Sequence, residues 1–240
     1  MIDITGLTKA YGRLQVLQGI DLRIEPGRVT AIVGPNGAGK TTLIKMILGL
    51  ARPGGGEIRV DGTRVNGDCD YRARIGYMPQ IARFPENLTG AELLAMLKDL
   101  RGPAARLDEE LIARFDLEPQ LGKPLRTLSG GTRQKVNAAA AFLFDPDVLI
   151  LDEPTAGLDP VSSSILKDKI LADRGRGKTF ILTSHIMSEL EELSDDVAFL
   201  LDGRMRFAGP VHDLKLSTRQ LTLERAIAAM MTRSVEGVAA

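Results

Sequence analysis

The chain has 240 residues, which is enough for one sizeable hydrophobic core, and its 31 basic and 31 acidic side chains cancel. A net charge of zero argues against the basic surface of a protein dedicated to nucleic acids, so no nucleic-acid partner is expected. The single cysteine cannot form an internal disulfide, which favours a reducing, cytoplasmic setting. No apolar run approaches the roughly 20 residues that cross a bilayer, so a membrane role would require another chain.

Short β-rich segments alternate with helical patterns along the chain, in the order that is typical of a parallel sheet with helices packed on it. The sequence therefore predicts an α/β fold. The segments predicted as strands are short apolar runs bounded by glycine or charged residues: 2–7, 20–24, 29–33, 58–60, 148–151, 179–182, 197–201 and 205–207.

Two regions depart from this alternation. Between Gln80 and Leu128 the segments 91–100 and 107–115 have helical spacing and no strand is predicted, which indicates an inserted helical subdomain. Near the C-terminus one apolar stripe recurs at helical spacing, at Leu223, Ala226, Ile227, Met230 and Met231. We predict that this stripe packs on the core, with a dimer contact as the alternative, and that 234–240 form a frayed tail.

A glycine-rich loop follows the predicted strand 29–33 and precedes an amphipathic helical pattern. Its residues are Gly34, Pro35, Asn36, Gly37, Ala38, Gly39, Lys40 and Thr41. Glycines let the backbone turn its N–H groups inward, and the helix N-terminus adds partial positive charge. Lys40 can reach the outer phosphates of a nucleotide, and the Thr41 hydroxyl can ligate Mg²⁺. A simple glycine-rich turn is the alternative, but the flanking strand and helix favour phosphate binding.

The segment 147–153 predicts a buried strand that ends in two adjacent carboxylates, Asp152 and Glu153. The carboxyl end of such a strand is where an open α/β sheet places ligand chemistry. One carboxylate can hold Mg²⁺ while its neighbour orients or deprotonates an attacking water. An acidic pair by itself is more often a polar strand end, so the chemical interpretation depends on the phosphate loop.

A second helix N-terminus that contains glycines is predicted at Leu128-Ser129-Gly130-Gly131-Thr132-Arg133-Gln134-Lys135, ahead of the helical run 138–144. One bound nucleotide hardly needs two such anion-binding helix starts. This stretch resembles the signature of the ATP-binding-cassette (ABC) family, and the phosphate loop and acidic strand resemble two further motifs of that family. The resemblance extends from Tyr11 to about Gly209, and it points to the ATPase subunit, or nucleotide-binding domain, of an ABC transporter.

The resemblance implies a P-loop NTPase (RecA-like) core with an N-terminal antiparallel β subdomain and an inserted α-helical subdomain. A single ABC ATPase domain would span 1–240. Within it, 1–80 and 146–210 would form the nucleotide-binding core, 81–145 the helical subdomain with the signature, and 211–240 the C-terminal helices and tail.

The resemblance also implies roles at the nucleotide, where two cassettes would pack head to tail. Residues that would bind ATP on one chain are Tyr11, which would stack on adenine, and Gly34 to Thr41 with the adjacent Thr42. The second chain would contribute Ser129, Gly130 and Gly131 at the γ-phosphate, and Asp159 would face the partner. Residues implied in catalysis are Glu153, Gln80 and His185, and those implied to hold Mg²⁺ are Thr41, Gln80 and Asp152.

Each implied role has an ordinary structural alternative. Tyr11 could close a hydrophobic edge, Gln80 could be a plain loop residue, and His185 could be a hydrogen bonder at a strand end. Asp159 could be a turn or helix cap before a proline. Their joint occurrence in the order of the family favours the functional roles. The sequence departs from the commonest signature at Thr132, where glutamine is usual, and this affects a contact on the ribose side.

The implied function is that of an ATP-hydrolysing subunit that powers a membrane transporter through ATP-driven dimerisation with a second copy of itself or a homologous cassette. Separate transmembrane permease subunits would hold it at the cytoplasmic face of the membrane. The alternative is a non-transport ABC ATPase that acts on ribosomes or DNA, although such relatives usually carry two cassettes or long coiled coils. Segments 184–190 and 221–231 are also similar to the ATPase of the copper-maturation transporter for nitrous oxide reductase.

Overall fold

The computed structural model describes residues 1–67, 69–102 and 106–236. Its strands in chain order are β1 (Ile2–Tyr11), β2 (Leu14–Ile24), β3 (Val29–Val33), β4 (Gly55–Val60), β5 (Thr63–Arg64), β6 (Ile75–Met78), β7 (Val148–Asp152), β8 (Thr179–Thr183), β9 (Asp196–Leu201) and β10 (Arg204–Pro210). Its helices are α1 (Lys40–Ile47), α2 (Gly90–Arg101), α3 (Glu110–Arg114), α4 (Glu118–Leu121), α5 (Gly130–Phe142), α6 (Pro160–Gly175), α7 (Met187–Leu193), α8 (Val211–Thr218) and α9 (Leu223–Glu236). Short 3-10 helices cover Asp70–Arg74 and Leu125–Thr127.

The described residues form two compact units, one from Met1–Ala73 with Thr179–Ala240 and one from Arg74–Lys178. In the first unit, β2, β1, β4 and β5 form an antiparallel sheet in that order, which confirms the predicted N-terminal β subdomain. In the same unit β3 lies between β8 and β9 and runs parallel to both, while β10 pairs antiparallel with β9. All five residues of β3 and of β8 are buried, as expected for parallel strands covered on both faces.

The second unit contains a parallel strand pair and most of the helices. Strand β6 pairs with β7 in a register that runs from Ile75 opposite Val148 to Met78 opposite Leu151. A Cβ atom on Gly76 would overlap the carbonyl oxygen of Ala141, so the missing side chain lets α5 pack closely on this strand. The sequence analysis did not predict β6, because a four-residue run with an internal glycine carries little strand signal. The subdomain boundaries stay a prediction.

Helix α3 is shorter than the predicted helical segment 107–115. The backbone N–H of Asp108 donates to the Leu143 carbonyl, and the Asp108 carboxylate accepts a hydrogen bond from the N–H of Glu110. These two contacts hold the chain in a non-helical conformation until Glu110, where the helix begins. Helix α2 begins close to its predicted start, with Thr89 as its N-cap in a reciprocal capping box with Glu92.

The C-terminal apolar stripe packs as predicted over most of its length. Leu223, Ala226 and Ile227 are buried, whereas Met231 is 36% exposed at the end of the stripe. Helix α9 continues to Glu236, so the prediction of a tail from 234 was wrong for its first three residues, and 237–240 lie outside the described residues. Over the ranges that the structure describes, no helix has the length and hydrophobicity needed to cross a membrane.

A buried ion cluster ties α6 to the segment that leads into α3. The Lys169 ammonium is 1% exposed and lies 2.6 Å from the Asp108 carboxylate, 2.8 Å from that of Glu110 and 3.3 Å from that of Asp173. Burial by itself lowers the pKa of Lys169, but the hydrogen bonds to Asp108 and Glu110 outweigh burial and leave the pKa raised. Asp173 is fully buried and also pairs with Lys178 at 2.9 Å. The lysine is therefore charged in the folded protein.

We expect Lys169→Ala to lower the free energy of unfolding by about 3 kcal/mol, because it removes a buried cation from the fully buried Asp173 and the largely buried Asp108. Urea unfolding followed by circular dichroism measures this change. Lys123→Ala is the matched control, since Lys123 is exposed and its hydrogen bond to Gln120 is a surface contact. A loss in Lys169→Ala no larger than that of the control would show that the cluster does not stabilise the fold.

Candidate functional site

The phosphate loop of the first unit has a backbone that only glycine accommodates at two positions. Gly34 has a φ of 155°, and a Cβ atom there would overlap the carbonyl oxygen of Leu200. Gly39 has a φ of 107°, and its Cβ would lie 2.6 Å from Cδ2 of Leu17. Both positions combine a left-handed conformation with close neighbours, so the loop path depends on these glycines.

Helix α1 begins directly at the end of this loop, and its first turn is suited to an anion. The N-cap is Gly39, which has no side chain to accept a hydrogen bond, and the first turn contains no acidic residue. The Lys40 ammonium donates to the carbonyl oxygens of Gly34 at 2.7 Å and Pro35 at 3.1 Å, so it lies over the loop. Thr41 is exposed and Thr42 is partly buried in the same turn. Backbone N–H groups, the helix dipole and one ammonium therefore converge here.

His185 lies at the same edge of the sheet as the phosphate loop. Strands β3 and β8 are parallel neighbours with Ala31 opposite Leu182, so the segments that follow their carboxyl ends emerge side by side. The loop follows β3, and His185 follows β8 in an exposed bend before α7. The structure thus brings His185 to the edge that carries the loop, as its predicted role requires.

Tyr11 is on the hairpin between β1 and β2, where it pairs with Leu14. The ring is 51% exposed, and the Lys9 ammonium lies 5.0 Å from its centroid. A Cβ atom on Gly39 would lie 3.2 Å from the carbonyl oxygen of Val16. Strand β2 therefore contacts the phosphate loop at Val16, two residues after Leu14. An exposed ring on this hairpin is compatible with stacking on a base, which stays a prediction.

In the second unit, the predicted acidic pair lies at the end of a buried strand. All five residues of β7 are buried, and its last residue, Asp152, is 7% exposed. Glu153 follows with a φ of 51°, a left-handed conformation that is uncommon for glutamate and is often found at functional sites. Because β6 is parallel to β7, Gln80 follows the neighbouring strand at the same edge as the two carboxylates. Burial raises the pKa of Tyr77 on β6, and the charge of Asp152 raises it further.

The signature residues form the N-terminus of α5. Ser129 is the N-cap, and its Oγ accepts the backbone N–H of Thr132 at 3.1 Å. The two hydroxyl oxygens of Ser129 and Thr132 are 2.9 Å apart. Ser129 and Gly130 are exposed, and no acidic residue lies in the first turn. This helix start therefore has the exposure and the polarity needed to contact an anion.

Three polar residues of α5 to which the sequence analysis assigned no role connect the signature to the other predicted site residues. Asn137 donates to the carbonyl of Pro79, the residue before Gln80, at 2.9 Å. Gln134 lies 3.4 Å from the carbonyl oxygens of Glu153 and Pro154. The Lys135 ammonium lies 3.2 Å from the Asp159 carboxylate. The available signal was that Asn137 is the one polar residue among the last seven of α5, and that Gln134 lies three residues before it on the same helix face.

Asp159 is the N-cap of α6, as the structural alternative for this residue predicts. Its carboxylate accepts the backbone N–H of Ser162 at 2.9 Å and the hydroxyl of the same serine at 2.6 Å. The hydrogen bonds from Ser162, together with Lys135, hold the pKa of this carboxyl well below its usual range. Its side chain is still 52% exposed, so capping leaves it accessible to a second chain. Contact with a partner stays a prediction.

A groove of about 600 Å³ opens beside Gln80 in the second unit. The segment after Gln80 forms one wall with Ile81, Arg83 and Phe84, and the first turns of α5 form the other with Gly130 and Arg133. Ile81 is 71% exposed, an unusual exposure for a large apolar side chain. The groove therefore joins a mixed apolar and charged surface to the predicted catalytic glutamine.

Comparison with known proteins identifies the family. The protein-family model described as ABC transporter matches residues 17–156, which is more than half of the chain. The chain belongs to the ABC transporter family. It is 41% identical over 221 residues to the daunorubicin/doxorubicin resistance ATP-binding protein DrrA of Streptomyces peucetius, an alignment that covers 90% of this chain and 67% of that protein. It is 34% identical over 219 residues to the Nod factor export ATP-binding protein I of Ralstonia nicotianae, covering 89% of this chain and 68% of that protein.

Solved structures of ABC cassettes share this fold. The ATP binding subunit of an ABC transporter matches with a TM-score of 0.89 at 30% identity, over 96% of this chain and 99% of that one. A dimeric ATP-binding cassette in a post-hydrolysis state with ADP and Pi matches with a TM-score of 0.78 at 25% identity, over 88% of this chain and 99% of that one. This ABC cassette therefore has the predicted P-loop NTPase fold, hydrolyses ATP, and powers transport through ATP-driven dimerisation of two cassettes. The narrower resemblance to the copper-maturation ATPase stays a prediction.

Proposed function

We propose that this ABC cassette powers export through separate transmembrane permease subunits, which hold it at the cytoplasmic face of the membrane. The observation that carries the proposal is its similarity to ATP-binding proteins that are named for drug resistance and for Nod factor export. The second cassette in the complex is another copy of this chain or a homologue. The permease, rather than the cassette, contacts the exported compound.

In the proposed site the phosphates of ATP lie against the loop N–H groups and the N-terminus of α1. Lys40, which now bonds two loop carbonyls, donates to the charged β- and γ-phosphate oxygens, since these are stronger acceptors. Thr42 supports the same phosphates from the first turn, and the exposed ring of Tyr11 stacks on adenine. Each of these contacts uses a group that already lies at the loop or on the hairpin next to it.

The proposed Mg²⁺ ligands are Thr41, Gln80 and Asp152. A hydroxyl, an amide oxygen and a carboxylate are the hard oxygen donors that Mg²⁺ prefers, with substrate phosphates completing the set. The low exposure of Asp152 at the end of β7 suits a carboxylate that faces a cation rather than solvent. When bound, Mg²⁺ neutralises charge on the β- and γ-phosphates.

The proposed general base is Glu153, which orients the attacking water and accepts its proton. The left-handed backbone at this residue re-aims its side chain relative to the preceding strand, and the contact from Gln134 supports that turn. Gln80 aligns the water from the neighbouring strand end, and His185 contacts the γ-phosphate from the edge that carries the loop. Catalysis then depends on positioning and on charge stabilisation more than on covalent chemistry.

The signature completes the site of the other cassette in the proposed dimer. Ser129, Gly130 and Gly131 present a hydroxyl, backbone N–H groups and a helix N-terminus to the γ-phosphate, while Asp159 faces the partner chain. Two ATP molecules thus hold the cassettes together. Hydrolysis removes the charge at the γ position and lets the interface open. This opening is the mechanical step that the permease uses.

The groove beside Gln80 is the proposed permease contact. Exposed Ile81 supplies apolar area, and Arg83 and Arg133 supply charge around it. A permease segment in this groove would touch both the Gln80 segment and the start of α5, and therefore two elements of the nucleotide site.

Purification of the tagged chain from its native membranes tests this proposal. We expect integral membrane subunits to copurify with the wild type, and Ile81→Asp to lose them because it places a charge in an apolar contact. Leu100→Asp is the control, since Leu100 is 77% exposed in the same unit and does not line the groove. Copurification with ribosomes or DNA and no membrane subunit would instead support the non-transport alternative.

A further inference from the structure

We propose that Thr132 is a positioning residue that acts through Ser129 and aims the serine hydroxyl at the γ-phosphate held by the partner cassette. The inference rests on the proposed role of the signature in the ATP-bound dimer. It concerns the one position where this signature departs from the commonest family sequence, with threonine in place of glutamine. The supporting observation is the 2.9 Å distance between the two hydroxyl oxygens.

The direction of this hydrogen bond follows from counting donors and acceptors. A serine hydroxyl has one proton to donate and two lone pairs that accept. In Ser129 one lone pair already accepts the backbone N–H of Thr132 at 3.1 Å. A phosphate oxygen only accepts, so Ser129 must use its proton for the phosphate when ATP is bound. The Thr132 hydroxyl is then the donor to the second lone pair of Ser129.

The resulting chain runs from the Thr132 hydroxyl through the Ser129 hydroxyl to the γ-phosphate. With ATP bound, both lone pairs of Ser129 accept hydrogen bonds from groups of Thr132, so the O–H bond of Ser129 points away from Thr132. Successive hydrogen bonds in one direction also polarise each other, which makes Ser129 a better donor. Thr132 thereby orients the Ser129 proton toward the phosphate in the ATP-bound dimer.

Glutamine at this position would organise the helix start differently. Thr132 is the third residue of α5 after the N-cap, where a glutamine side chain can reach back to the backbone N–H of the N-cap residue. A threonine side chain is too short for that contact and meets the Ser129 hydroxyl instead. Thr132 thus places its hydroxyl against the side chain that faces the phosphate.

The test compares Thr132→Val, which removes the hydroxyl at nearly constant volume, with Thr132→Ser, which keeps it. Both are made in the Glu153→Gln background, and sedimentation measures the ATP concentration for half-maximal dimerisation. We expect Thr132→Val to raise this concentration about five- to tenfold, because it removes one hydrogen bond to a group that binds a charged phosphate. In Thr132→Ser the concentration should stay within about twofold of that of the Glu153→Gln background. ADP affinity of the monomer should not change in either variant, because Ser129 acts on the other chain.

A double-mutant cycle with Ser129→Ala separates the possible outcomes. If Thr132 acts through Ser129, then Ser129→Ala raises the ATP concentration and Thr132→Val adds nothing to it. The inference would be overturned if Thr132→Val had the same effect on dimerisation in the Ser129 and Ser129→Ala backgrounds, or no effect when Ser129 is present. Either result would leave the proposed role of the signature intact. Dimerisation unaffected by Ser129→Ala would overturn the proposed role of the signature, and with it the inference. Thermal unfolding without nucleotide detects any variant that only weakens the cap.

Discussion

Replacement of Glu153 by glutamine is expected to lower ATP turnover by about 10²- to 10⁴-fold while ATP binding is retained, so that an ATP-bound dimer accumulates. Glutamine has the shape of glutamate but cannot accept the proton of the attacking water. The left-handed backbone at this position, with φ at 51°, is equally uncommon for both residues, so the local turn should survive the change. The γ-phosphate then stays in place and keeps the two cassettes together.

Phosphate release at saturating ATP and size-exclusion chromatography with and without ATP measure the two effects. Glu118→Gln is the matched control, because Glu118 is an exposed glutamate of the same unit at the start of α4. It should hydrolyse ATP at the wild-type rate and should not accumulate as a dimer. A normal rate of hydrolysis in Glu153→Gln would show that another group accepts the proton.

Lys40→Ala is expected to act one step earlier, by weakening the affinity for ATP about 10- to 100-fold. The ammonium lies over the loop and donates hydrogen bonds to the carbonyls of Gly34 and Pro35. In the proposed complex it donates to phosphate oxygens instead. Loss of hydrogen bonds between charged groups has an effect of this size. Because the dimer needs bound ATP, dimerisation and turnover should fall with the affinity.

Titration with a fluorescent ATP analogue measures this affinity. Lys45→Ala is the control, since Lys45 is an exposed lysine in the last turn of the same helix and has the same intrinsic helix preference. Its affinity should equal that of the wild type, which separates the charge at the loop from the general charge of α1. Unchanged affinity in Lys40→Ala would count against the role of Lys40 at the phosphates.

Most of the fold could be predicted because its strands carry local signals. The segment 29–33 and the start of β8 at Thr179 were predicted with the observed bounds, since short runs of apolar and β-branched residues next to charged or glycine residues are strong strand signals. Strand β6 was missed because it has four residues and one is glycine. Helix α3 was predicted too long, because a contact from Asp108 to the distant Leu143 carbonyl delays its start. Apolar spacing carries no information about such a contact.

The candidate site divides in the same way. Its main motifs are runs of consecutive residues, so the sequence predicts their chemistry: the phosphate loop, the acidic pair at the end of β7 and the helix start at Ser129. The structure adds the polar contacts that Gln134, Lys135 and Asn137 make from α5 to segments far away in the sequence. It also shows that Asp159 caps α6, a structural role that the sequence analysis had treated as an alternative.

The sequence by itself determined the family and the predicted chemistry, because a phosphate loop, a carboxylate pair and a signature are each formed by residues that are consecutive in the sequence. Only the tertiary structure decided the left-handed turn at Glu153, the burial of Lys169 among three carboxylates and the contact between the hydroxyls of Thr132 and Ser129. Backbone angles, burial and hydrogen-bond partners depend on which surfaces pack together. These surfaces meet only after the chain has folded, so residue order alone does not specify their distances.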